Sequence, residues 1–366
     1  MKKALLAAAV AAAVPALVHA QTNVVMTGNF KTGVAQTKYS NGASNNGNHT
    51  AMIDGSSRFI IKGTEDLGGG LKAIFQMDNR FRPDNGGTQS LAGGNTFVGL
   101  TGGFGTVRLG KLDLYWNQGI DSFQSYATAH QASNAGLLSY VGSNSNPIAR
   151  ASRSSNVVRY DLPKMGGLKG GAAWSPGANG AEAGAMGDGN KGNAWELDLA
   201  WSGGPFTVGG AYWDEKFDGY KNAAAGDNTG QQAWRLYGTY NFGVVSLGLT
   251  YDESELSYDT TGDRKRGAWS IPVTAKVGPG TLVFAYTQAQ DMKVGGSKRN
   301  DTGAKMFALG YDYPLSKRTS LGVSYAVINN DSNASYGVYS RSGADLNAPT
   351  AGQDTKQFYV GVRHAF

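Results

Sequence analysis

Arginine and lysine recur at every second position in several short stretches, and that spacing limits what chemistry they can do. Arg58 and Lys62 share parity against Phe59 and Ile61, and Arg108 lies between Val107 and Leu109. Lys72, Gln76, Asp78, Arg80 and Arg82 share parity against Leu71, Ala73, Phe75, Met77 and Phe81, as Arg153 and Arg159 do against Val158 and Tyr160. Side chains of an extended strand alternate between its two faces, so these cations collect on one face and apolar residues on the other. A line of fixed cations along a wall breaks no bonds. It attracts anions and repels cations in any water that runs beside it. Residues suited to catalysis or metal binding are absent or scattered. There is no cysteine, and the histidines at 19, 49, 130 and 364 keep no ligand spacing. Gly68–Gly70 lacks the Lys-Ser/Thr of a phosphate-binding loop and reads as a turn. No loop carries the EF-hand calcium pattern. The expectation is no enzyme, no cofactor and no metal.

The elements that must hold these cations are strands. Alternating segments fall near 23–38, 56–65, 71–82, 95–101, 105–112, 152–162, 168–174, 194–202, 205–216, 231–242, 244–253, 267–277, 281–290, 303–313, 319–329 and 354–366. Trp195, Leu197, Leu199 and Trp201 alternate with Glu196, Asp198 and Ala200, and Leu321, Val323, Tyr325 and Val327 alternate with small residues. In the final segment Phe358, Val360, Val362 and Phe366 keep period two. The connections alternate in length. Asp66–Gly70, Gly102–Gly103, Pro163–Gly167, Gly203–Gly204, Gly278–Gly280 and Pro314–Arg318 are short. Ser40–Gly55, Pro83–Gly94, Ser175–Asn193, Asp218–Gly230, Ser254–Arg266, Asp291–Thr302 and Asn330–Gln353 are long and polar. Short turns on one side and long loops on the other are the pattern of a membrane barrel, which faces lipid outside and water inside. The predicted fold is all-β: a sixteen-stranded antiparallel transmembrane β-barrel. An arginine on its lipid face would cost a few kcal/mol at the midplane, so the cationic face points inward.

The N-terminus agrees with export. Lys2 and Lys3 precede an apolar run from Ala4 to Val18, and Val18-His19-Ala20 places small residues at −3 and −1 of a cleavage site. This predicts a signal peptide over 1–20, cut between Ala20 and Gln21, with residues 21–366 forming one barrel domain. Without Lys2 and Lys3 the formal charge falls from +6 to +4, and no dense basic run suggests a nucleic-acid partner. Glycine supplies 54 of 366 residues and aromatics 11%, too many regularly placed large rings for a disordered chain.

At this point the residues resemble a known family, the trimeric general-diffusion porins of Gram-negative bacteria, in particular the β-proteobacterial type. The motifs are Gly63-Thr-Glu-Asp-Leu-Gly-Gly-Gly-Leu-Lys-Ala73, Gly105-Thr-Val-Arg-Leu-Gly-Lys111, Tyr240-Asn-Phe-Gly243, Leu315-Ser-Lys-Arg-Thr319 and Val362-Arg-His-Ala-Phe366. The resemblance implies outer-membrane lipid around the barrel, a homotrimer, and Phe366 as the C-terminal assembly signature. It also implies an inward-folded constriction loop, which matches 113–151. That stretch carries Trp116, Phe123, Tyr126 and Leu137-Leu138, an apolar load unusual for a solvated loop. In the family, wall arginines face acidic loop residues across the pore. Arg58 and Arg153 match that basic cluster; Asn95 stands where anion-selective relatives carry a third arginine. Arg80 and Arg82 supply charge from the next strand, Lys62 and Arg159 extend the basic wall, and Asp113 and Asp121 are the loop acids. The implied function is a water-filled channel for small hydrophilic solutes and inorganic ions, mildly anion-preferring. A substrate-specific channel using Trp116, Tyr126 and Tyr140, and an adhesin using the long loops, are the alternatives.

Overall fold

The computed structural model describes residues 23–41, 47–87, 91–120, 123, 125–138, 140–143, 153–178, 191–218, 228–339 and 349–366. Ala20, Gln21 and Asp121 lie outside the described residues. In chain order the strands are β1 (Asn23–Ser40), β2 (Asn48–Asp54), β3 (Arg58–Gly68), β4 (Leu71–Arg80), β5 (Thr96–Gly102), β6 (Gly105–Leu112), β7 (Ser154–Asp161), β8 (Leu168–Ser175), β9 (Lys191–Gly203), β10 (Phe206–Asp218), β11 (Asn228–Asn241), β12 (Val245–Tyr258), β13 (Arg264–Val277), β14 (Gly280–Ala289), β15 (Lys293–Val294), β16 (Ser297–Lys298), β17 (Ala304–Pro314), β18 (Thr319–Asn330) and β19 (Asp354–Ala365). All the pairings between these strands are antiparallel, and β19 returns to β1 from Asn29↔Ala365 to Ser40↔Asp354, so the sheet closes on itself. β1 serves two partners in turn, β3 along its first part and β2 further on. β2 and β3 therefore form one interrupted stave, while the small β15–β16 hairpin hangs beside β13. The result is a closed antiparallel barrel of sixteen staves. Closure removes the unpaired edges that lipid cannot solvate. Phe366 completes the join: its N–H donates to the Gly28 carbonyl at 3.1 Å, and the Gly28 N–H donates back at 3.0 Å.

The outer wall is apolar where alternation requires it. Trp195, Leu197, Leu199 and Trp201 are 55, 60, 50 and 47% exposed, while Glu196 and Asp198 between them are buried. Phe358, Val360 and Val362 likewise face out, and Tyr359 faces in. The inner wall carries many small residues on β13, β14, β17 and β18, including Ala268, Ala285, Ala308 and Ala326.

Several expected loops contain strand. Ser40–Gly55 includes β2; Ser254–Arg266 is mostly the continuation of β12 and the start of β13; Asp291–Thr302 includes the β15–β16 hairpin. In β12 the added residues read Ser254-Glu-Leu-Ser-Tyr258. These staves extend past the apolar band, where the outer face no longer meets lipid, so the alternation weakens although the hydrogen bonds continue.

Candidate pore constriction

The described residues between β6 and β7 pack inside the barrel. Its described part contains short helical turns at Tyr115–Asn117, His130–Ala132 and Ala135–Leu138. Trp116, Phe123, Leu137, Leu138 and Tyr140 pack on Ala285, Ala289, Met306, Ala308, Ala326 and Ile328 of the inner wall. Each large side chain buried in this way contributes about 1.5–3 kcal/mol, which explains why an apolar loop leaves the water-filled lumen for the wall. Close approach depends on two glycines. A Cβ on Gly322 would sit 2.5 Å from the Ala127 carbonyl carbon and 2.6 Å from the Thr128 nitrogen; one on Gly310 would sit 2.7 Å from Thr128 Cγ2.

Polar side chains on the wall then fix the loop backbone. Arg235 on β11 donates from Nη1 to the Trp116 and Gln118 carbonyls at 3.1 and 2.7 Å. Arg266 on β13 donates from Nη2 to the Leu138 carbonyl at 3.0 Å. Between them Asp252 on β12 takes Arg235 Nη2 at 3.0 Å, Arg266 Nη2 at 3.3 Å and the Tyr115 hydroxyl at 2.5 Å. Burial raises the Tyr115 phenol pKa well above its ordinary value and the nearby Asp252 charge adds to the effect, so the hydroxyl keeps its proton and donates. Lys31 on β1 donates to the Phe123 carbonyl at 3.3 Å, and Asp312 on β17 accepts the Ala127 N–H at 2.7 Å. A second segment closes over the loop. Gly142 N–H donates to the Tyr336 hydroxyl at 2.8 Å, and the Tyr339 ring lies 4.7 Å from His130 and 5.7 Å from Trp116.

The expected basic residues divide by environment. Arg58 opens β3 opposite Arg80 at the end of β4, both on the inward face. Asp78 sits between them, 3.0 Å from Arg80 Nη2 and 3.6 Å from Arg58 Nη1, and Arg80 Nη1 also donates to Ser56 Oγ at 2.9 Å. The Arg80 side chain is 3% exposed and that of Arg58 29%, so Arg58 presents more of its charge to the lumen. Lys62 lies on the same face, exposed and outside any ion pair among the described residues. Arg82 lies just beyond β4 and pairs with Asp84 at 2.9 Å. Arg153 precedes β7 and is half-buried. Arg159 is enclosed by carboxylates: Asp161 at 2.7 Å, Asp198 at 2.5 Å, and Glu196. Arg108 joins the group through Asp161 at 2.7 Å. These carboxylates offset the two guanidiniums, so Arg159 adds little positive field. Asp113 begins the loop and bonds to Asn95, whose amide donates to it at 3.0 Å. Asn95 thus fixes the base of the loop.

Parity sets Arg235 against Trp234 and Leu236, as it sets Glu196 against Trp195 and Leu197, but gives no partners. Lys31 passed unmarked; it opposes Arg363 in the β1–β19 register, with Arg58 nearby. Reading β1 by parity against Phe30 and Val34 would have found Lys31.

Comparison with known proteins bears on this geometry. A family model described as Gram-negative porin matches residues 7–334. Outer membrane porin protein 32 of Delftia acidovorans is 30% identical over the whole of both chains, and an outer membrane porin protein of Bordetella pertussis is 28% identical over the same extent. Among solved structures, an anion-selective porin from Comamonas acidovorans superposes with a TM-score of 0.76 at 25% identity, covering 94% of this chain and 100% of that one. The trimer form of OmpT from Vibrio cholerae, 17% identical, shares the fold with a TM-score of 0.67 over 94% of this chain and 99% of that one.

Proposed function

The chain belongs to the Gram-negative porin family and forms an outer-membrane channel for passive diffusion, and from that premise we propose that it passes small hydrophilic solutes and inorganic ions with a mild preference for anions. The observation that carries the preference is the difference in exposure along the inner wall. Arg58 and Lys62 open to the lumen, whereas the buried Arg235 and Arg266 are occupied in holding the loop. Likeness to the anion-selective Comamonas porin supports the same sign. The carboxylates around Arg159 keep the preference mild. In this reading residues 113–151 set the pore radius, Arg58, Lys62, Arg80 and Arg153 supply the positive side, and Asp113 and Asp121 the acidic side. The barrel works as a homotrimer, as the OmpT trimer form suggests, and the mature chain begins at Gln21. Trp116 and Tyr140 are buried in the loop–wall core, which disfavours an aromatic substrate track.

The test is single-channel recording of the folded protein in a planar bilayer under a KCl gradient. Conductance in steps of three with reversal on the chloride side is expected. Reversal should shrink as salt rises, because screening acts over about 10 Å at 0.1 M. Reversal on the potassium side would overturn the anion preference, and single steps would remove the trimer. N-terminal sequencing of the exported protein checks Gln21.

A further inference from the structure

The inner wall of β1 and β3–β5, on the short-turn side of Arg58, departs from what a water-filled lumen asks for. Register brings Val25, Lys62, Gln76 and Phe97 into one row across these four strands, each residue paired with the next. The row faces inward, because its parity is opposite to that of Met26 and Val98, which are exposed on the outer wall. Yet the row is largely apolar. Val25 is 39% exposed although it faces water, and Phe97 is half-buried. Ile60 and Ile74, two residues to either side on the same face, are half-buried as well. Lys62 stands among these side chains, exposed and outside any ion pair among the described residues. Arg108 adds positive potential, its guanidinium 5.3 Å from the centre of the Phe97 ring, though Asp161 at 2.7 Å offsets part of that charge.

A cavity of about 290 Å³ opens here, lined by Lys62, Gln76, Val25, Ile74 and Phe97 among others. It is a site apart from the arginines: Lys62 follows Arg58 by four residues along β3, about 13 Å at the rise of a strand. Gln76 Nε2 donates to the Asn95 carbonyl at 3.0 Å, which ties the floor of the cavity to the start of β5. Apolar walls with one convergent charge are the make-up of a small-molecule site, and this volume lies near the ~300 Å³ lower end for such sites. An inorganic anion would use only the lysine, and a neutral apolar solute only the floor. We propose that the cavity is a binding station for small monocarboxylates with an apolar ring or branched body, the carboxylate on Lys62 and the body against Val25, Ile74 and Phe97. The proposal rests on the channel reading above and adds one station to it, not an aromatic track. Binding there is weak enough for release, as conduction requires.

The test is KCl current through the full folded protein in a planar bilayer, with sodium benzoate, sodium acetate and benzamide added in turn. Benzoate should reduce the current saturably. Acetate, which has the charge without the ring, and benzamide, which has the ring without the charge, should each need at least about tenfold more. Lys62→Gln should raise the half-saturating benzoate concentration at least about tenfold, and Phe97→Leu, which keeps the site filled with an apolar side chain, about threefold. Should Phe97→Leu not fold, Val25→Thr decides the apolar floor in its place, since it keeps the shape and adds a hydroxyl; it too should weaken benzoate. Equal action of acetate or benzamide, a benzoate effect that never saturates, or an unaltered half-saturation in Lys62→Gln would each overturn the proposal. So would floor variants that bind benzoate as the wild type does. The wild-type reversal potential without additives judges the anion preference separately. Reversal on the chloride side with no benzoate saturation sinks the station alone; saturation with reversal on the potassium side upholds the station and sinks the preference.

Discussion

The inner wall uses arginine in two ways, and the contrast between β3–β4 and β11–β13 shows how to tell them apart. Arg58 keeps part of its guanidinium in the lumen beside Asp78. Arg235 and Arg266 are fully buried, share Asp252 and donate to three loop carbonyls. The first arrangement leaves a field that a passing ion meets. The second cancels most of its field and becomes a mechanical fastening. Residue type and parity are the same in both; burial and hydrogen-bond partners assign the role.

Breaking the fastening has the largest expected effect. Asp252→Ala would leave two buried guanidiniums without their carboxylate, a loss on the order of 3–5 kcal/mol. Thermal unfolding should move down accordingly, and conductance should rise and become noisier as the loop leaves the wall. A lower Tm with unchanged conductance would mean that apolar docking alone holds the loop. Gly322→Val attacks the same contact sterically, with a cost of about 1–3 kcal/mol for overpacking. Its added carbons would press on Ala127 and Thr128, so conductance should change while the reversal potential holds its sign.

Arg58→Glu tests the other half of the comparison. Its partly exposed ion pair contributes roughly 0–1 kcal/mol, so stability should hardly move. The reversal potential in a KCl gradient should shift toward potassium. Asp198→Asn should shift it the opposite way, since it removes one of the three carboxylates around Arg159. If neither variant moves the reversal potential, the wall charges do not set selectivity.

The barrel was legible because lipid enforces alternation: a stave such as 194–202 has no other way to satisfy hydrocarbon on one side and water on the other. Where the lipid stops, so does the signal, and β2 and the outer ends of β12 and β13 were read as loops. The inward loop could be recognised from its apolar residues. Its fastening could not, because Arg235 and Trp116 are far apart in sequence and a strand pattern says which face a side chain takes, not what meets it there. The small residues of the docking wall, Ala285, Ala308 and Gly322, look from sequence like weak strand formers. Only with Phe123 and Ala127 in place do they become the space the loop fills.

The smallest expected effect carries the same rule to the loops outside the membrane, where two neighbouring carboxylates have opposite environments. At Asp291 burial works against the charge, but Lys298 at 3.0 Å and the N–H groups of Thr302 and Gly303 outweigh it, and the pKa lies below the usual value. That contribution to stability is present above the unfolded pKa of about 3.9 and is lost as pH falls through the folded value. At Asp331 burial, then the charges of Asp291 and Asp301, raise the pKa. Its ionised form therefore opposes folding at neutral pH, and the opposition fades as pH falls through the raised folded value. Asp291→Asn should lower Tm slightly at pH 7 and have no effect near pH 2; Asp331→Asn should raise it slightly at pH 7. Thermal melts of the two variants across pH 2–7 separate the cases. Shifts of the same sign would mean that partners do not govern these charges, and would weaken the distinction drawn inside the pore.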